Sequence, residues 1–102
     1  QGNLSVDTII RTVSEYFNVS SSDIRGKKRT KKIVMPRHIS MYITRYMTEL
    51  STSEIGNEFG GRDHTSVIHA LQKVEAELKM DMTLETVIQK IEGKIRETVG
   101  KG

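Results

Sequence analysis

Cysteine is absent from the 102 residues, which excludes a disulfide framework and a thiolate metal site and points to a reducing, intracellular compartment. No apolar run approaches the ~18 residues that a membrane helix needs, and no signal peptide opens the chain. The phosphate-loop spacing G-x-x-x-x-G-K-[ST] does not occur, so Gly60 and Gly61 are read as a turn and not as a nucleotide cradle. Nowhere do apolar and polar residues alternate as in a half-buried strand. His64 and His69 are five apart, about 140° round a helix, unlike the i, i+4 histidines of a zinc helix. Asp63, His64 and Ser66 are helix neighbours that do not face one another, so Asp63 cannot orient His64 as a catalytic triad requires. At this length an inserted cofactor domain is excluded as well, and the expectation is a single non-enzymatic domain over residues 1–102. The first residue is Gln and not Met, which reads as an excised piece with 1–3 and 100–102 as flexible ends.

What is present is helical. Ser5 caps a first apolar stripe of Val6, Ile9, Ile10, Val13 and Phe17, with Asp7 favoured by the helix dipole. Residues 19–24, rich in serine, suggest a capped turn or short second helix. The single proline, Pro36, suits a first helical position and predicts a long helix to about Leu50, with Ile39, Tyr42, Ile43, Tyr46, Met47 and Leu50 as its buried stripe. One of Ser51, Thr52 and Ser53 caps a short helix to Phe59. Val67, Ala70, Leu71, Val74 and Leu78 mark the next helix, and Leu84, Val87, Ile88, Ile91 and Ile95 a last one beginning near Thr83. The fold class expected is all-α, with about six helices and no internal repeat.

Charge is segregated more than it is large. Of the 16 Lys and Arg residues, eight lie between Arg25 and Arg45, with no acid between Asp23 and Glu49, so one face should carry a positive field suited to a polyanion. The core of this region, RGKKRTKK at 25–32, reads as a basic loop with nothing apolar to bury.

The stretch EIGNEFGGRDHTSVIHA, 54–70, has helix-turn-helix grammar: a short helix, a glycine turn, and a second helix opening on polar residues. With His64 at zero, Val67, Ala70, Leu71, Val74 and Leu78 fall between roughly 240° and 340°, leaving Thr65, His69 and Gln72 opposite. That is the form of a helix that buries one side and offers its N-terminal turn to a major groove. Asp63 suits cytosine N4 or a plain N-cap, His64 a guanine or thymine edge, and Thr65 a thymine methyl. Ser66 and Lys73 suit phosphate. His69 stays open between a surface and a structural role. By itself the basic run is most simply a solvated loop. Next to a helix-turn-helix, it is an arm able to follow the adjacent minor groove, with Arg29 as its candidate for a narrow A·T-rich stretch. Arg37 and His38, beside the free N–H groups of a helix starting at Pro36, are candidates for a phosphate, with an ordinary surface histidine as the alternative for His38.

At GGRDHTSVIHA (60–70), PRHISMYI (36–43), the basic loop and LSVDTIIRTVSEYFNV (4–19), the chain closely resembles the C-terminal DNA-binding domain of the bacterial replication initiator family DnaA. The resemblance implies an all-helical unit that binds duplex DnaA boxes, short A·T-rich sites at the replication origin, as a monomer in the cytoplasm on the nucleoid. It implies Arg29 in the minor groove, Asp63, His64 and Thr65 as major-groove readers, and Lys27, Lys31, Arg37, His38, Ser53, Ser66 and Lys73 along the backbone. No cofactor is implied for these residues, since the family's ATP belongs to its ATPase domain. The chain departs from the family pattern at Thr52–Ser53, where Leu-Pro is frequent, at His38, where Gln is usual, and at Ser66, where Thr is commoner.

Two other readings remain: a helix-turn-helix transcriptional regulator, or a helical protein-interaction module docking through the amphipathic helix at 83–99. Salt separates the last from the first two. Neutralising about six phosphates should give a log–log slope of affinity against salt near −5, measured by titration at several salt concentrations, whereas a partner held by apolar surface should show little slope.

Overall fold

The computed structural model describes residues 4–101, without the side chain of Lys101. Its six helices are α1 (Val6–Phe17), α2 (Ser21–Arg25), α3 (Lys31–Met47), α4 (Thr52–Glu58), α5 (His64–Met80) and α6 (Met82–Lys101). Among the described residues there is no strand, as expected, and no helix long and apolar enough to cross a membrane.

Local chemistry accounts for most boundaries. Ser5 Oγ accepts from the Thr8 N–H at 3.2 Å to start α1, and Asn18, in the left-handed region at φ 57°, ends it. Ser20 caps α2 through the Asp23 N–H at 3.0 Å. Ser51 is the capping residue of α4, in a reciprocal box: its Oγ accepts from the Glu54 N–H at 3.1 Å while Glu54 Oε1 accepts from the Ser51 N–H at 2.8 Å. Gly60 and Gly61 both have positive φ, 83° and 77°, which is the turn conformation expected of them.

Three expectations need correction. Pro36 does not start α3 but sits inside it, so Lys31 and Lys32 are helical and the basic loop ends at Thr30. The missing Pro36 donor falls on the carbonyl of Lys32, an exposed residue that water can reach. The single stripe expected on α3 is also wrong. This helix touches all five others, and Ile33, Pro36, Ile39, Met41 and Ile43 are buried on several sides of it, whereas Tyr46 is 59% exposed and donates to Glu75 at 3.2 Å. Ser40 and Thr44 lie buried between neighbours because each hydroxyl donates to a carbonyl one turn back, at 2.8 and 2.7 Å. Finally, Gly100 and Lys101 belong to α6; residues 1–3 and 102 lie outside the described residues.

One core cluster draws on every helix, from Val6, Ile9 and Val13 through Ile24, Ile39, Ile55 and Phe59 to Val67, Ala70, Val74, Leu84, Ile88, Ile91 and Ile95. The apolar stripe of α6 is thus spent on closing this core. Where α4 meets the entry to α5, Gly56 is the contact point: a Cβ there would fall inside the Arg62 carbonyl, with its carbon 2.9 Å away. Gly93, exposed in mid-α6, has nothing within 4 Å of the same position. Chemical denaturation should therefore show Gly56→Ala losing roughly 3 kcal/mol through overpacking, and Gly93→Ala gaining about 0.5–1 kcal/mol from helix propensity.

Candidate nucleic-acid interface

The first turn of α5 is exposed at His64, Thr65 and Ser66, and Val67, Ala70, Leu71 and Val74 are buried behind it. Asp63 is the N-cap: its Oδ1 accepts from the Ser66 N–H at 3.0 Å, and that bond, above all, holds its carboxyl below the ordinary value. The N-cap reading of Asp63 is therefore realised through one oxygen. His69, Gln72 and Lys73 are exposed further along the same helix.

The basic loop lies beside this helix. Lys27, Lys28 and Arg29 are exposed, with Lys28 donating to Asp23 at 3.2 Å. Between loop, α3 and turn lies a cleft of about 600 Å³ lined by Lys27 and Arg29, by Val34, Arg37 and His38, and by Gly60, Gly61 and Arg62. No carboxylate is among them. A second groove, between α3 and α5, is lined by Arg29, Lys31, His38 and Lys73, by the apolar Val34, Met35, Val74, Ala76 and Met80, and by one carboxylate, Glu77. The structure thus brings Lys27, Arg29, Lys31, His38 and Lys73 together around two joined depressions that adjoin the start of α5. Ser53, exposed on the first turn of α4, lies outside both.

Arg37 is not where it was expected. It is 5% exposed, deep in α3, and not beside a helix start; its Nε donates to the Ile24 carbonyl at 2.7 Å and its Nη2 to the Asp23 carbonyl at 2.9 Å. The free N–H groups of α3 lie instead near Lys31, where Thr30 stands as N-cap without a side-chain bond. Burial lowers the pKa of Arg37, as does Arg62, against the opposing pull of Asp23.

Arg62 was missed as a site residue. Its guanidinium donates to the carbonyls of Phe59, Gly26 and, at 3.3 Å, Arg25. A signal was available: an arginine just before an N-cap faces the positive end of the helix, so it needs another reason to be there. Gly56 was missed too, because only the approach of two distant segments reveals its role.

His38 is half-buried between these elements, and its pKa is lowered by burial, then by Lys73, Arg37 and Arg62. As pH falls, the unfolded chain protonates this histidine first, near 6.5, so stability holds above that value and declines as pH drops through it toward the lower folded value. Melting between about pH 7 and 5 should show a shallower decline for His38→Gln than for the wild type. A phosphate placed in the groove would favour the protonated form of His38, so wild-type affinity for a polyanion should rise over the same fall in pH more than that of the variant.

Residues 6–74 match the family described as the bacterial dnaA protein helix-turn-helix. The chain is 48% identical over 101 residues to the chromosomal replication initiator protein DnaA of Treponema denticola, covering 99% of this chain and 22% of that protein. It is 49% identical over 96 residues to the DnaA of Limosilactobacillus reuteri strain DSM 20016, covering 94% and 22%. The chain thus spans about a fifth of the length of these curated relatives. A crystal structure described as a DNA replication initiation factor superposes with a TM-score of 0.81 at 32% identity, over 92% of this chain and 30% of the other.

Proposed function

The chain belongs to the bacterial DnaA helix-turn-helix family, and from that membership and the geometry of its cationic face we propose that it binds duplex DNA in both grooves, at the A·T-rich boxes of a bacterial replication origin. The observation that carries this reading is that the Arg29 loop and the turn Gly60, Gly61 and Arg62, which leads into α5, line one cleft without a carboxylate. A phosphate strand lying in that cleft separates a major groove from its neighbouring minor groove. Thr65 and His64 read base edges from α5, Asp63 contributes through the oxygen not engaged in capping, and Arg29 enters the narrow groove. Lys27, Lys31, Ser66 and Lys73 hold phosphates, as does His38 once protonated; Ser53 takes a phosphate at the far edge of α4. Arg37 is reassigned to holding the loop from within.

The proposed act is binding and not catalysis, needs no cofactor, and is carried out by a monomer in the bacterial cytoplasm. Family membership disfavours an unrelated transcriptional regulator, and the burial of the α6 stripe disfavours a docking module built on it. Binding-site selection with this chain, followed by titration of variants, tests the reading. His64→Ala or Thr65→Ala should lose ~1–3 kcal/mol on the selected site and little on random duplex. Arg29→Ala should lose affinity chiefly where the flank is A·T-rich. Equal losses on every duplex would reduce these side chains to phosphate contacts.

A further inference from the structure

Two side chains that meet no base in the reading above join its two halves. The Arg62 guanidinium spans the Phe59 carbonyl in the helix turn and the Arg25 and Gly26 carbonyls at the root of the basic loop. Arg25 reciprocates, donating from Nη1 to the Glu58 carbonyl at 2.6 Å. Turn and loop root are in direct contact: a Cβ on Gly60 would stand 2.6 Å from the Arg25 carbonyl oxygen and 3.3 Å from Arg62 Nη1. From this junction the chain reaches Arg29 in three residues and His64 in two. Three residues extend at most about 10 Å, so the position of the junction is passed on to both readers with little slack.

We propose that Arg62 is a positioning residue that fixes the spacing at which the domain accepts an A·T-rich minor-groove flank relative to its major-groove half-site. The proposal rests on the two-groove reading. Arg62 acts by holding the root of the Arg29 arm against the turn that aims α5, so that only sites with one separation of the two features satisfy both. Lysine carries the same charge, but its single ammonium lacks the planar fork that meets three carbonyls together.

The test is titration of this chain against its selected duplex and two derivatives in which the A·T-rich flank is moved one base pair nearer to or farther from the major-groove half. The wild type should lose about tenfold on each shifted duplex. Arg62→Lys should bind the selected duplex more weakly yet hold all three within about threefold, while its loss on a changed major-groove half stays at the wild-type value. Retention of the tenfold spacing preference by Arg62→Lys overturns the proposal, whatever its overall affinity. If Arg62→Lys does not fold, Gly60→Asn gives the same reading: asparagine tolerates the positive φ, but its Cβ pushes the loop root away from the turn, and an unchanged preference again overturns the proposal. A wild type indifferent to the shift brings down the two-groove reading as well. Preference lost in Arg29→Ala but kept in Arg62→Lys brings down the role of Arg62 alone.

Discussion

Four consecutive carbonyls at the end of α2, those of Asp23, Ile24, Arg25 and Gly26, accept from two guanidinium groups, and the rest of the cationic face depends on that capture. A five-residue helix has little stability of its own, and its last carbonyls lie largely past the helical ladder, with the Gly26 cap N–H reaching back to that of Asp23 at 3.2 Å. Arg37, from inside the central helix, takes the first two, and Arg62, from the helix turn, takes the last two. Among the described residues neither is paired with a carboxylate in an ion pair, so carbonyl dipoles do the work of a counter-ion and leave the positive charge uncancelled. The loop that follows is exposed, but its root is fixed on two sides.

That arrangement places like charges close together at a cost that the pKa directions record: Arg37 is depressed partly by Arg62, and His38 by Lys73 and both arginines. A face selected for stability alone would interleave acids. The stabilisation comes instead from the far side, where Ile39, Ile43, Val67 and Val74 are nearly inaccessible and the two motif helices close over Ile55 and Phe59. The cleft beside the turn can thus stay empty of carboxylates because the core does not rely on it, whereas the groove between α3 and α5 has Glu77 and the core residue Val74 in its lining.

How much could be read in the residues follows the range of the interactions. Caps and the glycine turn are set by near neighbours and were legible, Ser5, Gly60 and Gly61 singly and the α4 cap as one of Ser51, Thr52 and Ser53, while helical periodicity marked the buried side of α5 from Val67 through Val74. The start of α3 was not. Thr30 offers no side-chain cap, two lysines occupy a first turn where the dipole disfavours them, and Pro36 is a natural beginning. The helix forms there because Ile33 is buried, a tertiary reason. Arg37 and Arg62 were misread or passed over for the same cause: their carbonyl partners lie 13–14 and, for the loop root, 36–37 positions away, and no periodicity announces such a bond. The family resemblance assigned Arg37 to the DNA backbone, and it gave no sign that this guanidinium is buried against the Asp23 and Ile24 carbonyls.

A helix touched by every other helix, as α3 is, also governs how the molecule comes apart. With α3 removed, both the amino-terminal pair of helices and the motif pair lose the element on which they pack in common. A copy damaged in α3 would therefore present an unfolded chain open to proteolysis.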